Sequence, residues 1–195
     1  VKVIAFDLSL TATGWARGVS GAYTDAGLLP GKGDGVRRLM YLRNAVCAKV
    51  ETSMPDLVVF EDFSFGSSDG KAFERAGLAY MIRAELVSDQ IPYVLCSPMS
   101  LKKFVCGTAG SAKAPIRKEH MLKFLATRFG HDVDDNNVCD AIGLAYVGMA
   151  LVEDWPANAS TNSALTVAQK QVLEKLRQTN KEVKLGNYIG DYIHG

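Results

Sequence analysis

Val1-Lys2-Val3-Ile4-Ala5-Phe6-Asp7-Leu8-Ser9-Leu10-Thr11-Ala12-Thr13-Gly14 opens the chain, and the reading of this stretch decides the fold. Val1, Val3, Ile4, Ala5 and Phe6 form a short apolar run of strand-forming residues. A carboxylate at the end of such a run is costly to bury unless a metal or a partner compensates it. The small and hydroxyl residues from Ser9 to Gly14 suit a tight turn beside Asp7. Another strand-like piece, 15–19, follows at hairpin distance. Taken alone, Asp7 also reads as an aspartate that merely opens a turn, so the rest of the chain must decide.

Working outward, residues 23–29 read as a third strand, and Pro30 to Gly35 as a turn-rich break. Val36, Leu39, Met40, Leu42, Val46 and Val50 recur near a helical period, which predicts a helix over 36–53. The apolar run Leu57 to Phe60 is a strand that again ends in an acid, Glu61. A polar loop, 62–70, carries Phe63 and Phe65, and a second helix is expected over 72–88. Residues 92–96 form a further strand, 100–105 begin a helix, and 107–112 are a glycine-rich loop. Helices follow over 117–129 and from about 137 to 152, then a linker over 155–162 and an amphipathic tail helix over 163–178. Hairpin-linked strands followed by alternating elements imply a mixed α/β sheet covered by helices. Residues 1–153 are read as one domain and 154–195 as linker and helical tail, the tail packing back or serving dimerisation.

With 48% hydrophobic and 22% charged residues, the composition excludes disordered and fibrous classes. A net charge of +1 means that any affinity for nucleic acid must come from a local patch. Cys47, Cys96, Cys106 and Cys139 lack zinc spacing and read as reduced thiols of a cytoplasmic protein. The apolar run 141–152 is too short to span a bilayer, so no membrane partner is expected. No charged-then-apolar leader opens the chain, and its first residue, Val1 rather than Met, suggests a trimmed start.

Asp140 supplies a third acid, set among Cys139, Ala141, Ile142 and Leu144 on a helix destined for the core. Asn137 lies one turn earlier on the same face. Converging from two strands and a helix, these groups would make an all-oxygen site suited to Mg²⁺ or Mn²⁺. Two such ions about 4 Å apart can activate water and stabilise a leaving oxygen in phosphodiester cleavage. The plainer alternative has Asp7 and Glu61 capping turns and Asp140 paired with a base. Between Ser97 and Gly130 stand Lys102, Lys103, Lys113, Arg117, Lys118, Lys123 and Arg128, against Glu119 as the one acid. Beside a glycine-rich loop, this excess fits phosphate binding.

Four features together resemble RuvC-type Holliday-junction resolvases, particularly phage-encoded ones. They are Asp7 to Gly14, Glu61 after its apolar strand, Pro98-Met99-Ser100-Leu101-Lys102-Lys103-Phe104 with its glycine loop, and Asp140-Ala141 opening an apolar helix. The likeness runs from residue 1 to about residue 152. It implies a ribonuclease H-like mixed sheet flanked by helices, a homodimer, and Mg²⁺-dependent resolution of four-way junctions, forks and other branched DNA by paired nicks.

Carried over by position, Asp7, Glu61 and Asp140 would be the catalytic, metal-binding carboxylates, with Asn137 beside them and two ions per site. Lys102, Lys103, Lys113, Arg117 and Lys118 would contact the DNA backbone, and Phe65 or Phe63 would stack near the junction. Two departures stand out. Asn137 occupies a position where the family often has an acid or histidine; it ligates weakly, or Asp134 or Asp135 substitutes, or the chain is a disabled variant. The link Ala114 to Arg117 also runs longer than usual, which leaves the registry of Lys113 open. An idle junction-binding protein and another ribonuclease H-like nuclease are the alternatives.

Overall fold

Alternation along two strands divides the molecule into layers. In the computed structural model, which describes residues 1–19, 22–62, 70–111, 113–152 and 165–180, Val3 and Ala5 of β1 (Lys2–Asp7) face one core. Ile4 and Phe6 face the other. The same split holds on β4 (Leu57–Glu61), with Leu57 and Val59 on one side and Val58 and Phe60 on the other. Both strands are therefore buried on two faces, which explains their unbroken apolar runs.

The sheet has the order β3-β2-β1-β4-β5, with β2 (Ala12–Val19), β3 (Ala22–Pro30) and β5 (Tyr93–Cys96) completing it. β1, β2 and β3 form an antiparallel meander, whereas β4 and β5 run parallel to β1. Helices α1 (Gly35–Ser53) and α2 (Ala72–Ser88) cover the Ile4/Phe6 face. The Val3/Ala5 face carries α5 (Asn136–Val152), and α3 (Pro98–Cys106), α4 (Lys118–Phe129) and α6 (Val167–Thr179) join its core. This is the ribonuclease H-like mixed sheet flanked by helices.

The second strand starts at Ala12, three residues before its apolar run suggests. Asp7 pairs with Gly14 and Ala12 with Pro30, so backbone pairing extends the strand through residues too small to signal it. Helix α3 begins at Pro98 because Ser97 caps it: the Ser100 N–H donates to Ser97 Oγ at 3.2 Å. Arg117 is the cap residue of α4, not its first turn. The tail helix packs back on its own chain, burying Val172, Leu173 and Leu176. Just beyond it, Asn180 receives the Leu95 N–H at 3.0 Å and donates Nδ2 to the Leu95 carbonyl at 3.3 Å, so its carboxamide occupies the outer edge of β5. Among the described residues no helix is long and apolar enough to cross a membrane. All four cysteines are free thiols.

Candidate active site

The alternation that buries Val3 and Ala5 turns Asp7 toward α5, and that of Leu57 and Val59 turns Glu61 the same way. Phe6 pairs with Phe60 across the parallel β1–β4 ladder, so the two acids end neighbouring strands side by side. Asp140 comes from the first turns of α5. One carboxylate oxygen from each of Asp7, Glu61 and Asp140 lies within 4.8 Å of the others, and all three residues are half-buried. The expectation that Asp7 and Glu61 converge with Asp140 thus matches the geometry.

Helix α5 reaches this position because Gly14 lets it. A Cβ on Gly14 would stand 2.0 Å from the Asn137 carbonyl oxygen, so only glycine admits the helix start against β2. Asn137 then fixes the approach by donating Nδ2 to the Ala12 carbonyl at 2.7 Å. Asp135 caps the helix, its Oδ1 accepting from the N–H groups of Asn137 and Val138 at 2.8 and 3.0 Å. On the other side, fully buried Thr13 cross-links the turn after Asp7: its hydroxyl donates to the Ser9 carbonyl at 3.0 Å and accepts the Ser9 N–H at 3.2 Å.

Burial holds all three carboxyls above their ordinary range, and like charge adds to it, from Asp135 at Asp7 and from fellow members of the triad at Glu61 and Asp140. Burial is the larger cause for each. Burial, then the charges of Asp7 and Asp140, push Glu61 up to about 9, and it shares a hydrogen bond with Asp7. Asp140 is raised to about 7 by burial and then by Asp7. Without a cation, the cluster therefore keeps protons where a positive charge belongs. Lys102 and Lys118 oppose this: Lys102 stabilises the charged forms of Glu61 and Asp140, and Lys118 those of Asp7 and Asp140.

A pH dependence follows. Native Glu61 and Asp140 bind protons that the unfolded chain releases near 4.5 and 3.8, so the unfolded state binds fewer. Stability of the metal-free protein should accordingly fall as pH rises from about 4 through 7 toward 9. Thermal melts in EDTA across that range are expected to show a declining Tm, and saturating Mg²⁺ should flatten the decline. A Tm that rises over the same interval would contradict the assignment.

The remaining bases separate. Lys103 donates Nζ to Gln171 Oε1 on α6 at 2.7 Å. Lys113 and Arg117 line an open pocket of about 550 Å³ with Thr108, Ser111 and His120. That pocket lies on a loop whose Ser111 and Ala114 exchange backbone hydrogen bonds at 3.0 and 3.1 Å. Phe63 and Phe65 lie outside the described residues.

Sequence reading missed Arg83, a buried guanidinium on α2, 3.8 Å from Asp62, the residue after Glu61. An arginine next to Ile82, at a position in line with the core-facing Ala79 and Leu86, was the signal, since a charge on the buried side of a helix needs a partner. His120 is the other omission; its Nδ1 accepts the Arg117 N–H at 3.0 Å and so shapes the start of α4.

The fold is ribonuclease H-like, and a triad of carboxylates whose oxygens lie close enough to share a metal ion stands on the α5 face of its sheet. Its fold is that of Holliday junction resolvases. Thermus thermophilus RuvC superposes with a TM-score of 0.61 at 15% identity, over 75% of this chain and 92% of that one. The yeast mitochondrial Holliday junction resolvase superposes at 0.54 and 14% identity, covering 92% and 83%. The Fowlpox virus resolvase, solved with substrate Holliday junction DNA, superposes at 0.52 and 14% identity, covering 78% and 100%. No family model matches the sequence, and no curated protein matches it significantly.

Proposed function

We propose that this chain is a structure-selective DNA endonuclease that resolves Holliday junctions and related branched DNA by paired nicks, acting as a homodimer in the cytoplasm. The observation that carries this reading is the carboxylate triad with Lys102 and Lys118 beside it, on a fold shared with three resolvases.

The donor set fits a hard divalent cation: three carboxylate oxygens from different elements, among protons that such a cation would displace. Asp7, Glu61 and Asp140 would hold Mg²⁺, or Mn²⁺ in its place, and two ions are proposed per site. Held by these three carboxylates, such ions would supply Lewis-acid activation of the phosphodiester and of an attacking water. The chain's own residues do the rest. Asp135 and Asn137 hold the start of α5, and so Asp140, in place. Lys102 and Lys118 offset the charge of the scissile phosphate where it meets the acids. Lys113, Arg117 and His120 offer cationic and N–H donors to a flanking phosphate.

Cleavage of a labelled four-way junction beside a linear duplex of the same arms, in Mg²⁺, Mn²⁺ or EDTA, tests the reading. Symmetric, metal-dependent nicks in the junction alone are expected. Tight junction binding without cleavage, rescued by Asn137→Asp, would instead favour an idle junction-binding protein, the second reading that Asn137 supports. Preferential cutting of an RNA–DNA hybrid would point to a ribonuclease.

The two lysines carry a separable prediction. Lys102→Ala or Lys118→Ala should lower the cleavage rate by roughly 10–10²-fold while weakening junction binding only modestly, with a salt slope shallower by about one ion. Lys103→Ala should change cleavage far less, because its ammonium is held against Gln171. Equal effects from all three lysines would remove the distinction.

A further inference from the structure

The bases that serve the proposed function lie on α3 and to one side of it. Helix α3 packs between α4 and α6. Toward α4 stand Lys118 and the pocket of Lys113, Arg117 and His120. A scissile phosphate, however, has nucleotides on both sides, and the α6 side of α3 is also built of polar groups.

The sequence of α6 separates its faces. Val172, Leu173 and Leu176 are buried in the core of their own chain. Gln171, Lys175 and Gln178 recur at i, i+4 and i+7 on one exposed flank, and Lys170 and Arg177 lie on the other, with Glu174 the one acid of the helix. Among the described residues no carboxylate pairs with Lys170, Lys175 or Arg177. A polar helix face is ordinarily just a solvated one. Its placement sets this one apart.

Lys103 on α3 donates to Gln171 at 2.7 Å, which joins this flank to the lysine next to Lys102. At the other end Asn180 exchanges two hydrogen bonds with Leu95, one residue before Cys96. Cys96 pairs with Glu61 across the β4–β5 ladder, and the charge of Lys175 acts on the Cys96 thiol. The flank therefore starts beside Lys103 and runs toward the strand end that carries Glu61. Held at both ends and along its buried face, α6 presents these groups on a rigid support, so binding through them costs little ordering. Its 13 residues span about 20 Å, the length of about six base pairs of duplex.

We infer that Gln171, Lys175 and Gln178 of α6 hold the backbone of a duplex arm of branched DNA, on the side of α3 opposite the α4 pocket. Lys175 neutralises a phosphate there. Gln171 accepts from Lys103 through Oε1 and keeps Nε2 as a donor, and Gln178 adds a second amide for neighbouring phosphate oxygens. Contacts of this kind position the arm and carry no base specificity. As a DNA arm, this partner rests on the nuclease reading; the flank gives that reading the second half of its DNA track, which crosses α4, α3 and α6 in turn.

The test is binding of a labelled four-way junction and of a linear duplex by the full chain, read by fluorescence anisotropy in EDTA, where no cleavage intervenes. Lys175→Glu and Gln171→Glu should each weaken junction binding roughly tenfold, and Lys175→Ala should make the salt slope shallower by about one ion. Lys175→Arg should bind as the native chain does. Circular dichroism should not change, because Lys175 is exposed and Gln171→Glu keeps an acceptor for Lys103. Lys2→Glu, the same charge reversal at the other end of β1 from Asp7, should leave binding unaltered. A benzophenone on Gln178→Cys should cross-link to a duplex arm within about six base pairs of the branch, whereas one on Lys2→Cys should not. Native affinity that the α6 variants leave unchanged, an equal loss in Lys2→Glu, or equal cross-linking from both positions would overturn the inference and leave the nuclease reading standing. No affinity of the native chain for either DNA would overturn both. Binding and cross-linking as expected, in a chain that does not cut when metal is added, would support the α6 flank and count against the nuclease reading alone.

Discussion

Asp7→Asn is expected to lower junction cleavage on the order of 10³-fold or more, with junction binding largely retained and the metal-free protein melting at a higher temperature. The two effects have one cause. In the native protein Asp7 lies with Glu61 and Asp140 in a half-buried cluster where burial and like charge disfavour ionisation. That arrangement destabilises the fold until a cation compensates it. Removing one charge relieves the repulsion and also removes a cation ligand worth several kcal/mol to the transition state, hence the size of the expected loss. Glu61→Gln and Asp140→Asn should repeat the pattern. Steady-state nicking, gel-shift binding and melts in EDTA separate the three readouts. A variant that keeps nicking near the native rate would exclude its residue from the site, and one that loses activity while its Tm falls would point to simple misfolding.

The triad was legible because each acid breaks an apolar pattern. Asp7 and Glu61 end unbroken strand runs, and Asp140 sits in a helix without other charges after it, so three costly positions implied one compensating site. The mixed sheet and its helices were readable for a related reason, since apolar strand runs and the 3.6 period survive in the sequence as burial patterns, whereas the strand order β3-β2-β1-β4-β5 was not. What escaped reading depends on direction. Lys102 and Lys103 are adjacent in sequence but about 100° apart around α3; one influences the acids and the other bonds to Gln171. The start of β2 was hidden because Ala12, Thr13 and Gly14 carry no strand signature; their smallness serves α5, which was not yet placed. The salt bridge of Arg83 with Asp62, 21 residues earlier, depends on how α2 returns across the sheet. A sequence shows that a charge lies in an apolar helix, but not which strand end it will meet.

Gly14→Ala should be among the most damaging single-methyl changes in the protein. The added Cβ would stand 2.0 Å from the Asn137 carbonyl oxygen and 2.3 Å from its carbonyl carbon, and both are backbone atoms with no rotamer through which to retreat. The start of α5 must therefore move away from β2. That motion stretches the 2.7 Å bond from Asn137 to Ala12 and carries Asp140 away from Asp7, since Asp140 lies one turn further along the same helix. Overpacking of this kind costs about 1–3 kcal/mol or more. A displacement near 1 Å at a reacting centre costs on the order of 10²-fold in rate. A lower Tm and a reduced cleavage rate are thus expected together, with the Mg²⁺ concentration for half-maximal rate shifted upward because the three carboxylates no longer converge. The metal shift separates misplacement of Asp140 from general loss of folded protein, which would lower the rate at every Mg²⁺ concentration without moving the midpoint. Gly148→Ala supplies the contrast: its Cβ would meet the side chains of Val3 and Val59 at 2.6 Å, two turns deeper in the core and away from the acids. It should lower Tm and leave the metal midpoint unmoved. If both variants shift the midpoint alike, α5 moves as one rigid body, and Gly14 has no special part in setting the site.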